Sequence, residues 1–314
     1  LPFPAVTIES NNLPSNTRFI SVGYKKGKQV QNIVDFKAKR EGLNWDSFIA
    51  IGIFHVLAIG ALFTFSWANL TAFLFMWWFA GSLGIGLGYH RLLTHRGFKA
   101  PKWLEYFFTF CGTLALQAGA VKWVTTHRIH HAHTETDKDP HSPRNGTYWA
   151  HIGWIMRGTS QEHDDDTIRK YAPDLIKDPV IVFLSRWYWA SAILAGIVLF
   201  LIGGFSMVLW GVFARTVFGW HMTWLVNSAT HLWGTRRFET RDDSTNNALI
   251  AAVTWGEGWH NNHHAQPTSA RHGLAWYEFD INWMTIWLLQ KVGLVTDVRV
   301  YNLGEQPSQL KRAA

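Results

Sequence analysis

The chain has 314 residues, 48% of them hydrophobic, with 19 Trp, 21 Phe, 16 His and a formal net charge of +7. That length suits one large domain or two ordinary ones, and a mean hydropathy of −0.03 is too low for a chain built of membrane spans alone. The single Cys111 excludes an intrachain disulfide framework and a cysteine-built metal site; the basic residues lie scattered among apolar ones without a nucleic-acid motif, so lipid head groups or an acidic redox protein are the expected partners and nucleic acid is not.

The opening "LPFPAVTIESNNLPSN" has no basic start and no apolar run, which argues against a cleavable signal peptide. Four segments then approach the ~20 apolar residues that cross a bilayer. They are 47–67, 70–88, 180–202 and 206–226. The first two are joined by a few uncharged residues and the last two by "GGFS", so each pair is expected to form a hairpin. Lys and Arg number seven in 1–46, twelve between the second and third spans and eight after the fourth, with none at the hairpin tips. That bias places both termini and the long middle region on the cytoplasmic side. Segments 101–119 and 281–295 mix apolar with scattered polar residues and are expected to be interfacial helices. The fold class is all-α integral membrane, four spans in two hairpins under a cytosolic helical cap, without an internal repeat.

The histidines cluster on that side. "YHRLLTH" carries His90 and His95, "THRIHH" carries His127, His130 and His131, and "GEGWHNNHH" carries His260, His263 and His264. At i, i+3 and i+4 three side chains share one helix face. The i, i+5 spacing of His90 and His95 is looser; it suits a helix end that unwinds, or two ligands directed at different metals. "NSATH" adds His231, with Asn227 one turn before it. Nine clustered imidazoles are what two metal ions need, and imidazole alone does not choose among iron, zinc, copper and nickel. Glu257, Asp137 and Asp139 are the expected partners that orient ring N–H groups. A lone histidine is ordinarily a surface or satisfied core residue, and that reading covers His55, His133, His141, His151, His163, His221 and His272.

"HRLLTH", "HRIHH" and "HNNHH" resemble the three histidine boxes of the membrane fatty acid desaturases, closest to the stearoyl-CoA desaturase-like delta-9 branch. "TWLVNSATHLWG", "DKDPHSP" and "HIGW" extend the likeness over roughly 45–300. The resemblance implies a di-iron centre bound by the nine histidines, with Asn227 acting through a water. Dioxygen is the co-substrate, a cis double bond the product, and zinc fits the same ligands in a purified preparation. It divides the chain into an N-terminal cytosolic segment, 1–46, one desaturase domain, 47–300, whose cap is 89–179 and 231–300, and a tail, 301–314. An unactivated methylene offers no acid, carbonyl or leaving group, so metal–oxygen chemistry is what the reaction needs, with the protein supplying position and exclusion of water.

By the same resemblance Thr223 and Trp224 line the bend of an acyl tunnel beside Trp123, and Trp78 and Ser82 close its far end. Acyl-CoA members carry an arginine and an aspartate just before the second box that contact the CoA moiety. Here the two positions before His127 are Thr125 and Thr126. Lys122, Arg144 and Arg157 are the cations left to replace them, so a lipid-linked chain is expected over a CoA ester. Electrons are expected from a separate carrier, a ferredoxin or a b-type cytochrome with its reductase, since the ends are too short for a fused haem domain. A membrane hydroxylase would share the boxes. A metal transporter would place its ligands near the bilayer midplane.

Overall fold

A computed structural model describes residues 42–158 and 160–303. The expected N-terminal segment and tail lie almost wholly outside the described residues. Among the described residues twelve α-helices follow in order: α1 Trp45–Ala61, α2 Trp67–Trp77, α3 Lys102–Thr113, α4 Ala120–His133, α5 Trp154–Met156, α6 Asp165–Tyr171, α7 Pro179–Arg186, α8 Tyr188–Val208, α9 Arg215–Ser228, α10 Ala248–Val253, α11 His260–Ala265 and α12 Ile281–Lys291. No β-strand occurs among the described residues, only isolated bridges such as Lys99 with Thr296.

Among the described residues three stretches are long and apolar enough to cross a membrane: Trp45–Thr64, Trp67–Thr94 and Tyr188–His231. The starts of the first two are set by side-chain caps. Asn44 accepts from the Ser47 N–H and Ser66 from the Asn69 N–H, satisfying donors that a helix start leaves free. The third stretch is not straight. Gly203 and Gly204 leave the helix, Gly204 at φ +69°, a conformation that costs a side-chain-free residue little. Beyond the break the chain runs back along itself, and a Cβ on Gly211 would stand 2.6 Å from Leu199. The "GGFS" tip thus falls where expected. The expected segment 180–202 is in fact divided: α7 ends at Arg186, Trp187 leaves helical geometry, and α8 starts afresh at Tyr188. Trp210 donates its indole N–H to Ala61 O at 2.8 Å and ties the end of α1 to the chain just beyond α8.

The second stretch widens after α2 into a π-helix, Trp78–Thr94. Its glycines admit a neighbour at backbone distance. A Cβ on Gly84 would lie 2.5 Å from the Cys111 backbone, and one on Gly88 2.7 Å from Phe108 O. Helix α3 crosses there, burying Leu104, Phe108 and Cys111 and leaving Trp103 and Phe107 exposed. Helix α12 likewise buries Asn282 and Ile286 and exposes Met284, Trp287 and Leu288, the two-sided pattern of an interfacial helix.

Candidate metal centre

The histidines meet where the second stretch, α4, α9 and α11 converge. Five of them, His90, His95, His127, His131 and His263, offer nitrogen atoms all within 4.8 Å of one another, and His130, His231, His260 and His264 form a second such group. Each triplet is shared between the groups. His127 and His131 go one way and His130 the other; His260 and His264 go one way and His263 the other. Residues i and i+4 point about 40° apart on a helix, whereas i+3 and i+4 differ by about 100°. The one-sided convergence expected of each triplet is therefore a two-way split.

His90 and His95 belong to the same group, not to two. The π-helix explains it: the His95 N–H bonds to His90 O at 3.1 Å, an i+5 contact that brings the two rings onto one face.

The outer nitrogens define the rings' orientation. His90 Nδ1 meets Glu257 Oε2 at 2.5 Å, His130 Nδ1 meets Asp139 Oδ1 at 3.0 Å, His231 Nδ1 meets Glu135 Oε1 at 2.9 Å and His264 Nδ1 meets Asp242 Oδ2 at 3.0 Å. A carboxylate only accepts, so these four Nδ1 atoms donate, and each ring in its neutral form presents an Nε2 lone pair. His130 and His264 then face each other Nε2 to Nε2 at 3.4 Å. Two lone pairs at that distance repel unless a cation stands among them. Buried His95 Nε2 and the Nδ1 atoms of His260 and His263 have no hydrogen-bond partner. The donor set fits metal ions: nine mostly buried imidazoles, four oriented by carboxylates.

The electrostatics of most rings point the same way; at His130 burial is outweighed by Asp139, which raises its value. Burial and the neighbouring rings push His127, His131, His260 and His263 well below the ordinary imidazole value, and His264 falls to about 4 despite Asp242. These rings are neutral at pH 7, the form that binds metal. Burial opposes the charged form of Glu257, but Arg91 and His90 hold its carboxyl well below the usual range.

Several residues depart from expectation. Asp137 is exposed, and Glu135, Asp139, Asp242 and Glu257 are the carboxylates on the rings. His141 and His272, expected to be ordinary, are buried against the groups, with ring centroids 4.4 Å from His130 and His263 respectively. No spacing rule marks them in the sequence. The box arginines also carry structure: Arg91 pairs with Glu257 at 2.8 Å and Asp280 at 3.0 Å, and Arg128 with Asp174 at 2.6 Å.

Two cavities adjoin the first group and share Gln117, Trp123, His127, Thr223 and Asn227. Gln117 donates to Thr223 Oγ1 at 2.9 Å and accepts from the Trp123 indole at 3.3 Å. One cavity opens toward Asn44, Asp46 and Glu162 past Trp224; the other runs along Trp77, Gly81, Arg215 and Trp255. Neither Trp78 nor Ser82 lines it. Ser82 is buried and donates to Asn282 at 2.6 Å, while Trp78 packs with Phe75 and Phe79. The widened turn moves Trp77 and Gly81 onto the cavity face instead.

The family model for fatty acid desaturases matches residues 65–287. The chain is 49% identical over 263 residues to an sn-1 stearoyl-lipid 9-desaturase of Anabaena variabilis, covering 82% of this chain and 94% of the relative. It is 48% identical over 257 residues to an sn-2 palmitoyl-lipid 9-desaturase of Nostoc sp. (strain 36), covering 82% and 90%. An acyl-CoA 5-desaturase of Anemone leveillei is 44% identical over 287 residues, 88% of each chain.

Proposed function

The chain belongs to the fatty acid desaturase family, and from that premise we propose that it places a cis double bond at the delta-9 position of a saturated acyl chain carried on a membrane lipid, with two iron ions bound by the two histidine groups. The observation that carries this reading is the meeting of the nitrogen-lined groups with two cavities that join at Gln117, Trp123 and Thr223. When bound, the metal pair supplies the oxygen chemistry an unactivated methylene requires; each double bond consumes one dioxygen, two electrons and two protons and releases two waters.

The protein's own part is position. The acyl chain enters past Trp224, turns where Gln117 bonds Thr223, and continues toward Trp77 and Trp255. The turn presents one pair of methylenes to the histidine groups, and the largely apolar walls keep water from the rest of the chain. The outer carboxylates hold the rings in the tautomer that offers Nε2 inward, and Asn227 faces the same cavities one turn before His231.

The break at Gly203–Gly204 in the third apolar stretch supports a reading of four spans. The Lys/Arg bias puts both termini and the metal centre on the cytoplasmic face. An acidic ferredoxin or b-type cytochrome suits a basic chain as the electron source.

The entrance favours a lipid-linked substrate. Both Glu162 oxygens hold Lys122 Nζ at 2.6 Å, and Arg144 is paired with Glu135 at 2.9 Å. Two of the three cations that would meet CoA phosphates are thus already engaged. Purified enzyme with iron and a reducing partner, offered a stearoyl glycerolipid or stearoyl-CoA in separate reactions, tests the choice. Turnover of the glycerolipid is expected; turnover of the CoA ester alone would reverse it.

A further inference from the structure

Three histidines outside the metal groups form a continuous chain. His55 on α1 directs Nδ1 at Ile51 O, 2.7 Å away, and Nε2 at His221 Nε2 on α9, 3.1 Å away. His221 Nδ1 meets His151 Nε2 at 3.0 Å, and His151 Nδ1 meets Ser228 Oγ at 3.1 Å. Ser228 Oγ lies 2.7 Å from Trp224 O. The chain begins and ends on backbone carbonyls, which only accept. Each of its five contacts needs one hydrogen. The serine brings one and three neutral imidazoles bring three. The chain is one proton short, so either the rings share an added proton or one contact goes without a hydrogen.

We infer that His55, His221 and His151 are positioning residues for the acyl chain: they share one exchangeable proton, and its presence closes the chain that fixes Trp224 in the wall of the substrate cavity. The inference rests on reading that cavity as the acyl channel. Trp224 is buried, and the rings of His221 and His151 stand nearly perpendicular to its indole at 5.1 and 5.7 Å. Its own carbonyl is the last acceptor. With the proton in place, α1, α9 and the turn Trp149–Gly153 are pinned around one indole. Without it, one link opens and the wall gains freedom.

Little else near the chain titrates. The 3-10 turn Leu62–Thr64, α2, the π-turn Leu209–Ala214, α5 and α10 contain no Asp, Glu, Lys or Arg. On the elements that carry the chain, Asp46 begins α1 and Arg215 bonds Gly211 O and Leu114 O; Arg157 follows α5 and is exposed. His231, after α9, is committed to Glu135, and Arg144, on the 3-10 turn Pro143–Asn145 packed against Trp149–Gly153, pairs with the same carboxylate. None of these pairs with a member of the chain. Burial lowers the His151 value, partly offset by a backbone hydrogen bond at Trp224. A falling pH supplies the proton that the count of hydrogens lacks.

The test uses the full-length, metal-loaded protein in lipid nanodiscs, comparing wild type with the triple variant His55→Gln, His151→Gln and His221→Gln. Glutamine keeps a donor and an acceptor but cannot take the proton, and a single replacement would leave two imidazoles that can. Two quantities are followed from about pH 5 to pH 8: the share of product whose double bond is displaced from position 9, and amide exchange at 220–228 corrected for intrinsic rates. In wild type both are expected to rise with pH, the displaced share about five-fold, the worth of one hydrogen bond. In the triple variant both become independent of pH, with metal content unchanged. Wild-type values that do not move with pH, or a triple variant that keeps the wild-type slope, overturn the inference. A pH step in exchange with no double bond formed by any form would leave the proton-sharing chain standing and refute the acyl-channel reading, and with it the positioning role.

Discussion

His90 and Glu257 lie 2.5 Å apart through Nδ1 and Oε2, while the carboxylate's other oxygen takes the Arg91 guanidinium at 2.8 Å. Adjacent residues of the first box thus grip one carboxylate from the segment that opens the third. The same oxygen also accepts from Asn282 at 2.7 Å. Glu257 joins the second membrane-length stretch to α11 and α12 and sets the tautomer of His90.

Glu257→Gln keeps the shape and removes the charge. Arg91 retains Asp280, so the fold is expected to persist. Metal affinity is expected to fall about 10- to 100-fold, as for other outer-sphere partners of ligating histidines. Chelator competition with metal analysis checks it; a variant that holds metal as tightly as wild type contradicts the role.

Alanine at His90, His95, His127, His130, His131, His231, His260, His263 or His264 is expected to abolish activity. His272→Ala leaves a void beside His263 and removes the ring 3.4 Å from Glu257, so metal affinity should drop by about ten-fold. His163→Ala, which loses only a bond to Thr126, should leave substantial activity. Full activity in two or more of the first nine would defeat the ligand assignment.

Trp77 lines the far cavity and Trp78 does not. Trp77→Ala is expected to shift preference toward longer acyl chains, whereas Trp78→Ala leaves the profile unchanged. Competition between 16-, 18- and 20-carbon substrates decides it. The reverse pattern would restore Trp78 as the stop.

Burial works to raise the Asp174 carboxyl, but Arg128 and Arg96 outweigh it and hold it at about 2. A carboxyl lowered on folding adds stability above its unfolded value, near pH 4, and loses it as pH falls through about 2. The full linkage is roughly 2.5 kcal/mol, discounted to about 1 for a partly exposed pair. Asp174→Asn should lower the unfolding midpoint at pH 6, with the difference closing toward pH 2. A constant difference would assign the loss to packing.

The nine clustered histidines and the break at "GGFS" stand in the sequence because helical spacing and glycine's backbone freedom are local; the ion pairs of Arg91 and Arg128 do not. Glu135 and Asp242 were not legible: each reaches its ring through a loop, and nothing in "TETDKDP" separates Glu135 from exposed Asp137. His141 and His272 come from segments with no periodicity to betray burial beside the groups. The Trp77/Trp78 register was lost because a π-helix advances the face by an extra residue per turn.

The most direct test is mass spectrometry of intact lipids from a host lacking desaturases, expressing either the wild-type chain or His263→Ala. The wild type is expected to add a cis double bond at position 9 of glycerolipid-bound saturated chains, and the variant none. A new hydroxyl in place of the double bond, or no change from well-expressed, metal-loaded protein, would contradict the assignment.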